Sequence, residues 1–161
     1  MFSRILVAVD DAPAAFHAAE VAIGLAAVSG GTLVAITVLQ DHALDERISA
    51  ASMPVGGRRV LAANATLRHV QRRAAAAGVA ADAVQVSGAP AAEILAEVRR
   101  CGADAIVVAR ASERGVGVPY VGVEAQRILE FSDVPVVVVP PPVSGQGWSA
   151  VGDEVDHSGS A

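Results

Sequence analysis

Arg110, Ser112, Arg114, Gly115 and Gly117 share one short stretch, and Gly122 follows near the start of a segment of helical spacing. Guanidinium groups make charge-assisted bonds to phosphate, glycines let backbone N–H groups approach a ligand closely, and a helix amino terminus adds unpaired donors. The chemistry these residue types suggest at this spacing is the holding of a small anion. An acidic pair, Asp10-Asp11, follows the apolar run Ile5 to Val9 and precedes Pro13. Two roles suit that pair equally: an acceptor in a turn or helix cap, and a carboxylate facing the polar edge of a bound molecule. Arg110 and Arg114 also have an ordinary alternative, which is to pair with Glu113 or with water.

Other chemistries lack their parts. The twelve basic residues are all arginine, so the lysine of a Walker A loop or of a Schiff base is missing. His17 and His69 fall in helical segments, His42 in a long variable loop and His157 near the carboxyl terminus. None follows the carboxyl end of a strand, where an open α/β sheet gathers its reacting groups, so no histidine is placed as base for a nucleophile. No His pair or His–acid pair has ligand spacing on a regular element, and His42 with Asp41, Asp45 and Glu46 reads as a solvated loop, so no metal is expected. Gly115-Val116-Gly117 with Tyr120 beyond it does not make a dinucleotide fingerprint. Cys101 takes an inward position on a helix and is expected to pack. No enzyme activity is expected from this inventory.

The elements that must position these residues follow from periodicity. Short β-branched runs predict strands at Ile5 to Val9, Thr32 to Leu39, Ala83 to Ser87, Asp104 to Ala109 and Pro135 to Val139. Helical spacing predicts helices from about Ala14 to Ser29, Arg58 to Ala77, Pro90 to about Cys101, and Tyr120 to Phe131. The first should turn Phe16, Ala19, Ile23 and Ala26 inward. The second should bury Val60, Ala63, Leu67, Val70, Ala74 and Ala77, with Arg59, Arg68, Arg72 and Arg73 on a solvated face. The third should bury Ile94, Leu95, Val98 and Cys101. Gln40 to Gly57 is expected to be a long loop. The alternation βαβαβαβαβ implies an α/β fold, a three-layer α/β/α sandwich around a five-stranded parallel sheet with right-handed crossovers.

Composition narrows the partners. Of 161 residues, 53% are hydrophobic and only 3% aromatic, enough for one core built of Ala, Val, Leu and Ile. A net charge of -5 argues against nucleic acid, whose partners carry basic surfaces. No run approaches the roughly 20 apolar residues of a membrane span, the amino terminus has no signal-type core, and one cysteine makes no internal disulfide; a cytoplasmic location is expected. After Pro140 the composition turns to Gly, Ser and acidic residues without period. The expected division is therefore a domain over 1–140 and a disordered tail over 141–161.

The segments RILVAVD, GAPAAEILAEVRRCGADAIVVA and VPVVVVP, in that order and spacing, make the chain resemble the universal stress protein family over residues 3–140. The resemblance implies the adenine nucleotide alpha hydrolase-like strand order 3-2-1-4-5 and a homodimer joined through the last strand, Val136, Val137, Val138 and Val139. An uncovered strand of that kind would otherwise invite aggregation. Members of the family that bind ATP carry Gly-x2-Gly-x9-Gly-Ser/Thr after the fourth strand. Laid on this chain without a gap, those positions are Ala109, Ser112, Gly122 and Val123, so one glycine of three remains and the hydroxyl is lost. Val9, Asp10 and Val38 match the family's adenine-side contacts. Two functions follow: an interaction module of the stress response with a degenerate pocket, no cofactor and protein partners unknown, or an ATP or AMP binder, with Mg, in which Arg110 and Arg114 replace the lost glycine amides. The lost motif positions favour the first.

Overall fold

The central strands pair side by side because their side chains are apolar on both faces and each face is covered by helices. The computed structural model describes residues 1–40, 55–110 and 121–142. In chain order these form β1 (Arg4–Ala8), α1 (Pro13–Ser29), β2 (Thr32–Leu39), α2 (Val55–Ala76), β3 (Ala81–Ser87), α3 (Pro90–Cys101), β4 (Ala105–Ala109), α4 (Val123–Phe131) and β5 (Val136–Val139). All neighbouring strands are parallel, in the order β3-β2-β1-β4-β5.

The period of two along each strand sorts the side chains into two cores. Ile5, Val7, Leu33, Ala35 and Val107 meet α1 and α2 on one face, where small residues of α1 (Ala18, Ala19, Ala22, Ala26) bring the helix close to the sheet. Leu6, Val34, Ile36, Ile106 and Val108 meet Ile94 and Val98 of α3 and Ile128 of α4 on the other. The near absence of rings in the sequence is thus matched by a core of aliphatic chains. Phe16 lies beside it, edge-on to His69 of α2 with ring centroids 5.2 Å apart.

The helix ends are set by proline and glycine. Pro13 opens α1 and Pro90 opens α3, where a missing N–H costs nothing. Gly30 closes α1 in the left-handed region at φ 65°, the conformation that glycine adopts without penalty. Gly31 is required for a different reason, because a Cβ there would stand 2.6 Å from the carbonyl oxygen of Phe2. The lead-in to β1 therefore runs against bare backbone.

Several expected boundaries move. α2 begins at Val55 rather than Arg58, so Val55, Gly56 and Gly57 are helical despite their loop-like composition. Tertiary packing further along the helix outweighs two weak formers. Its buried stripe is shorter than its periodicity, because Val60 and Ala77 at the two ends are exposed while Ala63, Leu67, Val70 and Ala74 are buried. α4 starts at Val123, since Gly122 at φ 93° lies outside helical geometry, and Tyr120 lies outside the described residues. In α3 the buried set includes Ala91 and Glu97, with Leu95 and Cys101 half-buried against the same core. β3 begins at Ala81, two residues early, and β4 and β5 begin one residue late, at Ala105 and Val136.

Asp104, read from sequence as the first residue of a strand, instead clasps the start of β1. Its carboxylate accepts the N–H of Ser3 at 2.7 Å and of Arg4 at 3.2 Å. The Ser3 bond chiefly, with the Arg4 bond in support and slight burial opposing, holds this carboxyl below the usual range. A depressed folded-state pKa contributes stability above the unfolded value of about 3.9, and that contribution is lost as pH falls through the folded value. Urea midpoints measured from pH 7 down to pH 3 should therefore fall more steeply for the natural chain than for Asp104→Asn. Equal slopes would remove Asp104 from the acid response.

β5 lies at one edge of the sheet, hydrogen-bonded to β4 alone among the described residues. No helix among them is long and apolar enough to cross a membrane. Residues 143–161 of the expected tail lie outside the described residues.

Candidate functional site

In a parallel sheet wound in both directions, the loops after two neighbouring strands diverge and leave a crevice between them. Here the divergence falls between β1 and β4, and a cleft of about 490 Å³ opens at their carboxyl ends. Its walls are apolar: Ile36 and Val38 from β2, Val108 from β4, Ile94 from α3 and Ile128 from α4. Its polar groups are Asp10, Gln40, Arg110 and Glu124. Among the described residues, no group of three His, Cys, Asp or Glu stands close enough to hold a metal ion.

Of the residues singled out in the sequence, Val9, Asp10, Val38, Ala109, Arg110, Gly122 and Val123 all line this one cleft. Ser112, Arg114 and Gly115 lie outside the described residues. Val9 directly follows β1, and its N–H bonds to the carbonyl of Ile36 at 2.9 Å while its own carbonyl accepts the buried Thr37 hydroxyl at 2.9 Å. Both bonds tie the mouth of the cleft to β2. Asp10 Oδ1 accepts the N–H of Ala12 at 2.9 Å, so the turn role open to this residue is filled by one of its oxygens. The backbone N–H of Arg110 continues the β4–β5 pairing to the carbonyl of Val139 at 2.7 Å, which leaves its half-buried side chain to line the cleft.

α4 begins at the cleft without a side-chain cap: Gly122 occupies the cap position and Val123, half exposed at 51%, the first turn. Valine has no hydroxyl to offer a phosphate oxygen. Glu124 also lines the cleft, and the sequence reading does not single it out. Its Oε2 accepts the N–H of Ala91 in the first turn of α3 at 3.0 Å, and its Oε1 lies 3.6 Å from Arg127 Nη1. α3 has no side-chain cap of its own and opens on Pro90, so Ala91 carries its first backbone donor. A glutamate in a first helical turn is visible in the sequence. The helix whose end it satisfies is not, because the two residues are 33 positions apart.

Away from the cleft, the arginines near Cys101 are engaged elsewhere. Arg100 forms a fork with the buried carboxylate of Glu97, and Arg99 reaches Asp133 at 3.2 Å. The thiol itself faces the carbonyl of Val98 at 3.8 Å, a packed position. Arg73 is exposed, as expected for that face of α2, and bridges to Glu20 of α1 with its Nε at 2.7 Å from Oε1.

The sequence model of the universal stress protein family matches residues 1–140. A protein of that family from Burkholderia pseudomallei is 26% identical; the similarity covers 87% of this chain and 96% of that one, with a TM-score of 0.65. A universal stress protein in complex with cAMP is 22% identical over 88% of this chain and 99% of that one, TM-score 0.68. The universal stress protein from Archaeoglobus fulgidus in complex with dAMP is 17% identical over 85% and 97%, TM-score 0.63. No curated protein matches the chain significantly by sequence.

Proposed function

The chain belongs to the universal stress protein family, and from that premise we propose that it serves the stress response as a regulatory interaction module with a degenerate nucleotide pocket. The observation that carries this reading is the entrance to α4. Gly122 is followed by Val123 and then Glu124 at the lip of the cleft, so the helix end offers a methyl group and a carboxylate where a triphosphate needs a hydroxyl and bare N–H groups. Ala109, in the first glycine position of the binding pattern, adds a side chain to the same wall. The module is cytoplasmic, has no catalytic activity of its own, and comprises residues 1–140 with 141–161 as an appended tail. It dimerises through the free side of β5, which would give Val136 to Val139 the second strand neighbour that this edge lacks among the described residues.

Calorimetric titration with ATP and magnesium tests the pocket. The expected result is no binding below about millimolar concentration, which corresponds to roughly -4 kcal/mol. Light scattering on the same sample should give the mass of two chains. Micromolar ATP binding abolished by Arg110→Ala would replace this reading with a second one, in which Arg110, and Arg114 with it, supplies the charge that the lost amides do not. That reading is favoured by the place of Arg110 in the lining of the cleft and by the nucleotide complexes of the solved relatives.

A further inference from the structure

We propose that Glu124 sets the ligand class of the cleft: its carboxylate already occupies the anion position between two helix ends, so an uncharged molecule of nucleoside size is admitted and its phosphorylated forms are turned away. This rests on the function proposed for the pocket and deepens it, since it assigns the refusal of phosphate to a resident charge rather than to missing glycines alone.

The geometry is that of a bridge. Glu124 belongs to the first turn of α4, yet its Oε2 is bonded to Ala91 N–H in the first turn of α3. The positive ends of two helix dipoles thus converge on one carboxylate, and Ala91 N–H, the first donor after Pro90, is spent on it. Pro90, Gly122, Val123 and Glu124 all line the cleft, so the residue that carries this anion belongs to its wall. Arg127 approaches the same carboxylate from the solvent side, 59% exposed, which screens the pair without removing its charge from the cleft. Among the described residues, the formal charges lining the cleft are Asp10 and Glu124 against Arg110. A ligand phosphate would add negative charge to a lining that is already net negative.

What remains favourable is an uncharged ligand. The walls are aliphatic, the volume of about 490 Å³ lies within the range of small-molecule sites, and Asp10 keeps a second oxygen that can accept from an amino or hydroxyl group.

The test is calorimetric titration of the full chain with adenosine, AMP and ATP with magnesium at low salt. The variants are Glu124→Gln and, as a charge control, Glu130→Gln, which neutralises an exposed residue of α4 outside the cleft. Glutamine keeps a carbonyl oxygen for Ala91 N–H and removes only the charge. The natural chain should bind adenosine about tenfold more tightly than AMP. Glu124→Gln should tighten AMP and ATP by about tenfold and leave adenosine within about twofold, while Glu130→Gln changes none of them. AMP binding that is unmoved by Glu124→Gln, or moved equally by Glu130→Gln, overturns the proposal even if the natural chain refuses ATP as the proposed function requires. Tight ATP binding by the natural chain overturns the proposed function and this proposal together, whereas refusal of ATP with an unmoved Gln variant overturns this proposal alone. Should Glu124→Gln lose its thermal transition, the natural chain's own adenosine-to-AMP ratio decides: equal affinities for the two overturn the proposal.

Discussion

Leu6→Ala should lower the unfolding free energy by about 3 kcal/mol, seen as a fall of roughly 6–12 °C in melting temperature for a chain of this size. Leu6 is completely buried in β1, the middle strand of the sheet, and faces the core beneath α3 and α4. Its neighbours there are aliphatic and themselves sealed: Val34, Ile36 and Ile106 on flanking strands, Ile94 and Ile128 on the helices. Truncation removes three carbons from a site walled by paired strands, which cannot close inward to fill the space. The loss is a large part of the 5–15 kcal/mol that holds a typical domain together. Ile94 and Ile128 also wall the cleft, so ligand affinity should weaken with stability. A cost below about 1 kcal/mol would mean that the helices collapse onto the gap.

Gly31→Ala should cost about 2 kcal/mol or more, whereas Gly24→Ala should stabilise the chain by roughly 0.5–1 kcal/mol. The same methyl group is added in both cases. At Gly31 it would stand 2.6 Å from the carbonyl oxygen of Phe2 and 3.0 Å from that of Ser3, and both obstacles are backbone. Relief requires moving the segment that enters β1 away from the start of β2, where Thr32 N–H bonds to Ser3 at 3.0 Å and Arg4 pairs in register with Thr32. At Gly24, inside α1, nothing lies within 4 Å of the added carbon, and alanine is the better helix former. Chemical denaturation of the two variants separates the effects by sign. Two destabilised proteins, or two unchanged ones, would contradict the close approach at Gly31.

The order of elements was legible because each carries its own local signal: β-branched runs for the strands, three-and-four spacing for α2, proline and glycine at the helix ends. The strand order was not contained in that spacing and came from family resemblance, since periodicity says nothing about which strands are neighbours. The candidate site was legible to the extent that its residues follow strand ends. Val9, Asp10 and Arg110 do so, Val38 and Ala109 are the last or next-to-last residues of their strands, and all five meet in one cleft. Thr37, Asp104 and Glu124 escaped because each acts on a partner distant in sequence, 28, 101 or 100, and 33 positions away. In TLVAITVL, Thr37 looked like part of an apolar run, and only the fold turns its hydroxyl toward Val9. Glycine told half its story: Gly30-Gly31 announced a helix end, while the steric demand on the second residue arises from a strand lead-in almost thirty positions earlier.

The Asp104 clasp fixes the first residues at the amino edge of the sheet, and Met1 beyond it is fully open to solvent. The cleft opens at the opposite ends of the same strands, about 16 Å away by the length of β1 alone. A fluorophore, affinity handle or sensor-chip linkage joined at Met1 would leave the cleft facing the bulk solution. The chain can therefore be immobilised by its first residue for ligand screening without the attachment shading the surface that is being assayed.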